Sequence, residues 1–136
     1  MVKSTAVQDL ESALDAVDDS TVLTAAWDAF DLTVGVADAI TWQGGDELQA
    51  LAAAAAGAAG RALLPLPATG SPREVPTLPA EAEALEPFVV LMSRTHAALI
   101  TMADSAEGDT AAQDSLREAA DHALVAANAL ALVWGR

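Results

Sequence analysis

The chain has 136 residues, of which 20 are acidic and 6 are basic, and its formal net charge is -14. A charge of this sign and size repels phosphate groups and therefore argues against a nucleic-acid or anionic-membrane partner, while the absence of cysteine excludes disulfides and thiolate metal sites. The length predicts one domain, residues 1–136, that is large enough to bury its own core.

The first apolar stripe predicts a short helix that ends before residue 20. Its members recur at spacings of three and four: Val7, Leu10, Leu14 and Val17. Continuing the stripe would bury Thr21 and Thr24, so we expect a second helix with its cap near Asp19 or Ser20. The second helix carries its own apolar set: Val22, Ala26, Trp27, Phe30, Val34, Ala37 and Ile40.

The third predicted helix is built from small residues. It runs from Leu48 to Leu64, after Gly44 and Gly45 and a capping-box-like start at Asp46. A helix that is apolar nearly all round is usually enclosed, so we expect it to touch more than one neighbour. Its small residues are expected to include the closest helix contacts of the fold: Ala55, Ala56, Ala59 and Gly60.

A proline-rich linker follows the third helix. Five of the six prolines lie in residues 65–79, a segment that can be neither helix nor central strand. An extended connection of this length can cross a whole bundle, so the helices on either side of it can be parallel or antiparallel.

Two further helices complete the chain. The fourth carries Phe88, Leu91, Met92, Thr95, Leu99 and Met102, with Pro79 or Pro87 near its start. A turn at residues 107–109 precedes the fifth, which carries Leu116, Ala120, Ala123, Ala127, Leu130 and Trp134. The predicted fold is an all-α, single-domain helical bundle: four long helices and a short N-terminal one, with a Pro-rich crossover before the last helix pair.

Several features concern location and surface. Asp28, Asp31 and Asp38 have no base nearby in the sequence and are expected to form a solvated face.

The N-terminal segment carries acids by Asp9 and lacks the basic and apolar regions of a signal peptide, which predicts a cytoplasmic protein. The preference for Arg over Lys, with abundant Ala, Gly and Val, is typical of GC-rich bacterial genes.

A candidate metal site is suggested by the two histidines. His96 and His122 lie in the last two helices and reach the same level if these form an antiparallel hairpin. Glu118, one turn before His122, would complete a His, His, carboxylate set of the kind that binds divalent transition metals. The alternative is two unrelated histidines at the edge of the helix interface.

A second candidate site is the hexapeptide Arg117-Glu118-Ala119-Ala120-Asp121-His122. It resembles the Arg-x4-His motif of the HEPN family, helical bundles many of which are ribonucleases. The resemblance implies that Arg117 would steady a scissile phosphate and that His122 would act in proton transfer.

From the sequence we favour the hypothesis that the chain is a non-enzymatic, acidic helical-bundle protein without a cofactor. It would act by binding a protein partner, either another protein or a second copy of itself. Two alternatives remain: an enzyme built on the histidines, either HEPN-like or metal-dependent, and a carrier of a small apolar ligand. The carrier would need a cavity lined by Phe88, Met92, Leu99, Met102 and Trp134.

Overall fold

The computed structural model of the chain describes residues 5–16, 18–42, 47–64, 86–106 and 108–134. These residues form five helices and no strand, which confirms the predicted all-α bundle. The helices are α1 (Thr5–Leu14), α2 (Asp19–Trp42), α3 (Glu47–Ala62), α4 (Glu86–Ser105) and α5 (Thr110–Trp134).

The four long helices form a ring in which α2 packs on α3, α3 on α5, α5 on α4 and α4 on α2, while α1 packs on α2 and α4. Neighbours in the ring run antiparallel. The start of α2 lies beside the end of α4, and the end of α2 lies beside the start of α3. Consequently α3 and α4 are diagonal and parallel, so the end of α3 and the start of α4 lie at opposite ends of the bundle. The predicted linker, residues 65–79, lies outside the described residues.

The break between α1 and α2 falls where the apolar stripe changes phase. Asp18 caps α2: its carboxylate accepts hydrogen bonds from the backbone N–H of Thr21 at 3.2 Å and from the Thr21 hydroxyl at 2.8 Å. These bonds lower the pKa of the Asp18 carboxyl below its ordinary value. The predicted caps, Asp19 and Ser20, are therefore one and two residues too late.

The turn between α4 and α5 has a similar local cause. Gly108 has a φ of +89°, a conformation that favours glycine. Asp109 then caps α5 by accepting a bond from the backbone N–H of Ala112 at 3.0 Å. At the other end of α4, Pro87 occupies the second position, where its missing N–H costs no intrahelical bond.

The core contains most of the positions that the periodicity predicts. Phe30, Leu91, Met92, Leu99 and Leu130 are among its largest fully buried side chains. The alanines of the α5 stripe are also buried: Ala120, Ala123 and Ala127. The stripes include four half-buried members at the edge of the core: Trp27, Val34, Met102 and Leu116.

Glycine lets α3 approach α2 closely. A Cβ added at Gly60 would lie 2.3 Å from Cε1 of Phe30, and one at Gly57 would lie 3.0 Å from the Phe30 carbonyl oxygen. Gly60 thus makes the close contact that the sequence predicts, and Ala56 is buried. The expectation for Ala55 is wrong, since this residue is exposed.

None of the described helices is long and apolar enough to cross a membrane.

Candidate functional site

The outward side of α3 is apolar and open to solvent. Leu48 is 74% exposed and Leu51 is 68% exposed, and Ala55 and Ala62 continue the same side of the helix. No Asp, Glu, Lys or Arg occurs from Leu48 to Gly60. The helix does touch two neighbours, α2 and α5, as predicted, but it is not enclosed. None of the described residues covers the side of α3 that faces away from the core.

The outward side of α5 changes character half-way along the helix. Six exposed residues follow one another at alternating spacings of four and three, which places them on one side. In chain order they are Asp114, Glu118, Asp121, Val125, Asn128 and Leu132. The first three are acids, whereas none of the last three carries a charge. The outer surface of α5 is therefore acidic at its start and uncharged at its end.

The fold brings the two uncharged stretches together. Because α3 and α5 pack side by side and run antiparallel, the first half of α3 lies beside the last turns of α5. We call the exposed residues of 48–59 and 125–132 the uncharged face. Its large apolar side chains are Leu48, Leu51, Val125, which is 49% exposed, and Leu132, which is 55% exposed. Leu124, 42% exposed, lies at its edge towards α4.

A shallow groove borders this face between α2 and α3. It has a volume of about 340 Å3, and Leu51 forms part of its rim. The other lining residues are Val34, Ala37, Asp38, Thr41, Ala50 and Ala54. An apolar side chain from a partner that covered Leu51 could enter this groove.

Two contacts of the Arg61 side chain hold the end of α3 on α2. The Arg61 guanidinium pairs with the Asp31 carboxylate and lies over the Trp27 ring, 5.7 Å from its centroid. Asp31 is therefore half-buried and paired, and the expectation that it belongs to a solvated face without a nearby base is wrong. Local sequence could not predict this ion pair, because the two residues lie 30 positions apart.

His96 contacts α5 on a different side of that helix from the one that carries His122. Nδ1 of His96 donates a hydrogen bond to the Ala120 carbonyl oxygen across the α4–α5 interface, at 2.8 Å. His122 lies two positions beyond Ala120, about 160° away round the helix because each turn takes 3.6 residues. Within the described ranges, no group of three His, Asp or Glu side chains is placed to hold a metal ion. His96, His122 and Glu118 therefore do not meet as one ligand set.

Arg117 and His122 also lie on different sides of α5. They are five positions apart, which corresponds to about 140° round the helix. Arg117 turns towards α4, where its Nη2 lies 3.6 Å from Oδ1 of Asp104. The HEPN-like pair predicted from the hexapeptide is thus not brought to one cleft by the fold of α5.

The carrier hypothesis needs five residues to line one cavity. Phe88, Met92 and Leu99 are buried in the core. Met102 lines a groove of about 480 Å3 between α4 and the junction of α1 with α2. The Trp134 side chain lies outside the description. This groove is open and polar on one side, where Arg94 pairs with the buried Glu11 at 3.3 Å.

Comparisons of the chain with protein-family models, with curated proteins and with solved structures give no significant match.

The sequence contains two signals of the uncharged face that none of the predictions above uses. The outward stripe of α5 can be read from its spacing alone, including the change from acids to Val125, Asn128 and Leu132. The charge-free stretch of α3 is equally visible. What the sequence does not show is that α3 and α5 are neighbours, because 47 residues separate the end of one helix from the start of the other.

Proposed function

We propose that this protein acts by binding another protein through the uncharged face of α3 and α5, and that it is not an enzyme. The observation that carries the proposal is the exposure of Leu48, Leu51, Val125 and Leu132 on two adjacent helices. Single exposed apolar side chains are common in monomeric proteins, but neighbouring ones on a surface without charges are typical of interaction sites.

The distribution of charge supports the same proposal. A chain with a net charge of -14 has acids available for its surface, and α5 uses three of them on its outward side before residue 122. Beyond that residue the same side presents Val125 and Leu132. Interface centres are poor in charged residues, so the split along α5 matches a binding surface at one end of the bundle.

Site-specific photo-cross-linking in the producing cells tests the proposal. A photoreactive amino acid at position 51 or 132 should give a discrete cross-linked protein band, because both side chains would lie inside the interface. The same amino acid at position 114, on the acidic part of the same α5 stripe, is the matched control and should give no such band. Equal results at all three positions would contradict the proposal.

The enzyme and carrier hypotheses receive less support. Arg117 pairs with Asp104, and His96 binds the backbone of α5 instead of facing a cleft with His122. For the compartment, the sequence predicts the cytoplasm.

A further inference from the structure

We propose that α1 is a lid that undocks as a unit and opens the seam between α2 and α4, while the four long helices stay folded. α1 covers the side of the ring opposite the α3–α5 pair, so the proposal does not depend on the uncharged face. It is carried by three features of α1: its place outside the ring, the open grooves beside it, and a buried charge in its contact with α4.

The ring of four helices closes without α1. α1 lies outside the circuit of α2, α3, α5 and α4, and it packs on α2 and α4. α2 also begins independently, because the residue that caps its first turn is Asp18 and not a member of α1. With 10 residues, α1 is shorter than the roughly 12–15 residues that an isolated helix needs for marginal stability in water. We therefore expect α1 to be helical when docked and to unfold when it leaves.

Open grooves flank α1 on two sides. A groove of about 280 Å3 separates part of α1 from α2, and Leu10 and Ala25 line it. The groove of about 480 Å3 lies at the other end of α1, where Leu14 and Val22 are among its lining residues. These four side chains are buried, yet the contact between the helices is bordered by space that water can enter. Few packed atoms therefore separate the docked state from the open one.

A buried carboxylate makes the docking of α1 depend on one arginine. Glu11 is buried, and its Oε2 lies 3.3 Å from Nε of Arg94 on α4. Nη1 of the same arginine lies 3.8 Å from Oδ2 of Asp15. A buried carboxylate that loses its partner carries a large desolvation cost, and undocking relieves this cost because the carboxylate returns to water. Arg94 is thus the latch of the lid.

Undocking uncovers a surface of defined chemistry. Val22 and Ala25 of α2 are buried beside Leu14 and Leu10 of α1. When α1 leaves, these side chains become accessible, and the Arg94 guanidinium loses its contact with Glu11. The closed state therefore hides an apolar strip beside a cation, and the open state presents it.

Native-state hydrogen exchange on the full chain tests the proposal. The amides of residues 9–14 should exchange at least about tenfold faster than the slowest amides of α4 and α5. Their protection factors should agree with one another within about threefold, because a unit that undocks opens all of them at once. Fraying would instead give protection that rises steadily from residue 9 to residue 14, and this pattern would overturn the proposal.

Two substitutions separate undocking from global unfolding. Ala123→Gly weakens α5 by about 1 kcal/mol, which corresponds to roughly fivefold faster exchange of the slowest α5 amides. The amides of residues 9–14 should keep their rates in this variant, because α1 opens while α5 is still folded. If α1 instead accelerates together with α5, it opens only when the whole protein unfolds, and the proposal is wrong.

Arg94→Met tests the latch. Methionine keeps most of the length of the side chain and removes its charge, so the amides of residues 9–14 should exchange at least about fivefold faster. Arg117→Met is the matched control, because Arg117 is equally exposed and pairs with Asp104 away from α1. It should leave the α1 rates unchanged. Equal effects of the two substitutions on α1 would contradict the assignment of Arg94.

Thiol labelling gives a second readout, because the chain has no cysteine. Ala25→Cys places a thiol on α2 beside Leu10, and Ala123→Cys places one in the core on α5; both alanines are buried. The thiol at position 25 should react at least about tenfold faster than the thiol at position 123, and Arg94→Met should accelerate it further. Equal labelling at the two positions, or labelling at position 25 that Arg94→Met leaves unchanged, overturns the proposal.

Discussion

Gly60 of α3 lies against the ring of Phe30 of α2, so closely that a Cβ at position 60 would be 2.3 Å from Cε1 and 2.4 Å from Cζ. Gly60→Ala must therefore move a fully buried ring or separate the two helices. We expect the free energy of unfolding to fall by about 1–3 kcal/mol, although alanine is the better helix former by about 1 kcal/mol. Urea unfolding followed by circular dichroism measures the change.

The partner of Gly60 provides the control. Leucine at position 30 lacks the ring atoms that a Cβ at position 60 would strike, so Gly60→Ala should cost less in a Phe30→Leu background than in the wild type. A double-mutant cycle measures this coupling. Purely additive effects of the two substitutions would show that the ring contact is not the source of the loss.

Asp18 gives the stability of α2 a defined pH dependence. Its hydrogen bonds to Thr21 lower the folded-state pKa below the ordinary aspartate value of 3.8. A lowered carboxyl pKa stabilises the fold above the unfolded-state pKa, and this contribution is lost as the pH falls through the folded-state pKa. Asp18→Ala should therefore be less stable than the wild type at pH 7, with a difference that shrinks below about pH 3.8. Thermal unfolding from pH 7 to pH 2 checks this, and a difference that does not depend on pH would contradict it.

Arg61 should stabilise the α2–α3 pair through both its charge and its planar group. Arg61→Ala removes the ion pair with Asp31 and the contact with Trp27, and we expect a loss of about 1 kcal/mol. Arg61→Lys should restore only part of this loss, because lysine has an ammonium group and no planar guanidinium to stack on the indole. Equal stability of the Lys and wild-type proteins in urea would show that charge alone matters.

The hydrogen bond of His96 predicts a specific tautomer. Since the Ala120 carbonyl oxygen can only accept, Nδ1 of His96 must carry the proton. Nitrogen-15 chemical shifts of the neutral ring should report the Nδ1–H form, and the Nε2–H form would contradict the assignment. Removing the bond with His96→Ala should cost about 0.5–1.5 kcal/mol, measured by urea unfolding.

Local signals in the sequence predict the helices well, and contacts between distant residues account for what they miss. The phase break after Val17 and the turn at residues 107–109 predict the α1–α2 and α4–α5 connections, because both are decided within a few residues. The exposure of Leu48 and Leu51 could not be predicted in the same way. An apolar helix of small residues fits an enclosed position as well as a corner of the ring, and only the packing of α2 and α5 decides which side stays open.

The candidate sites show the same division. Arg117 and His122 form a recognisable spacing, but a spacing of five turns the two side chains to different sides of a helix. The pairing of Asp31 with Arg61 depends on the register of α2 against α3, which no local pattern contains. The sequence indicates what chemistry single residues can do, but it does not predict which of them come into contact in the fold.

Thiol labelling in intact cells tests most directly whether the uncharged face is covered by protein. The chain has no cysteine, so Leu51→Cys and Asp114→Cys each introduce one reporter thiol. Position 51 should react slowly in cells and quickly in dilute purified protein, while position 114 should react quickly in both. If the thiol at position 51 reacts as fast in cells as in dilute solution, relative to position 114, the uncharged face is not covered and the proposed binding through it is contradicted.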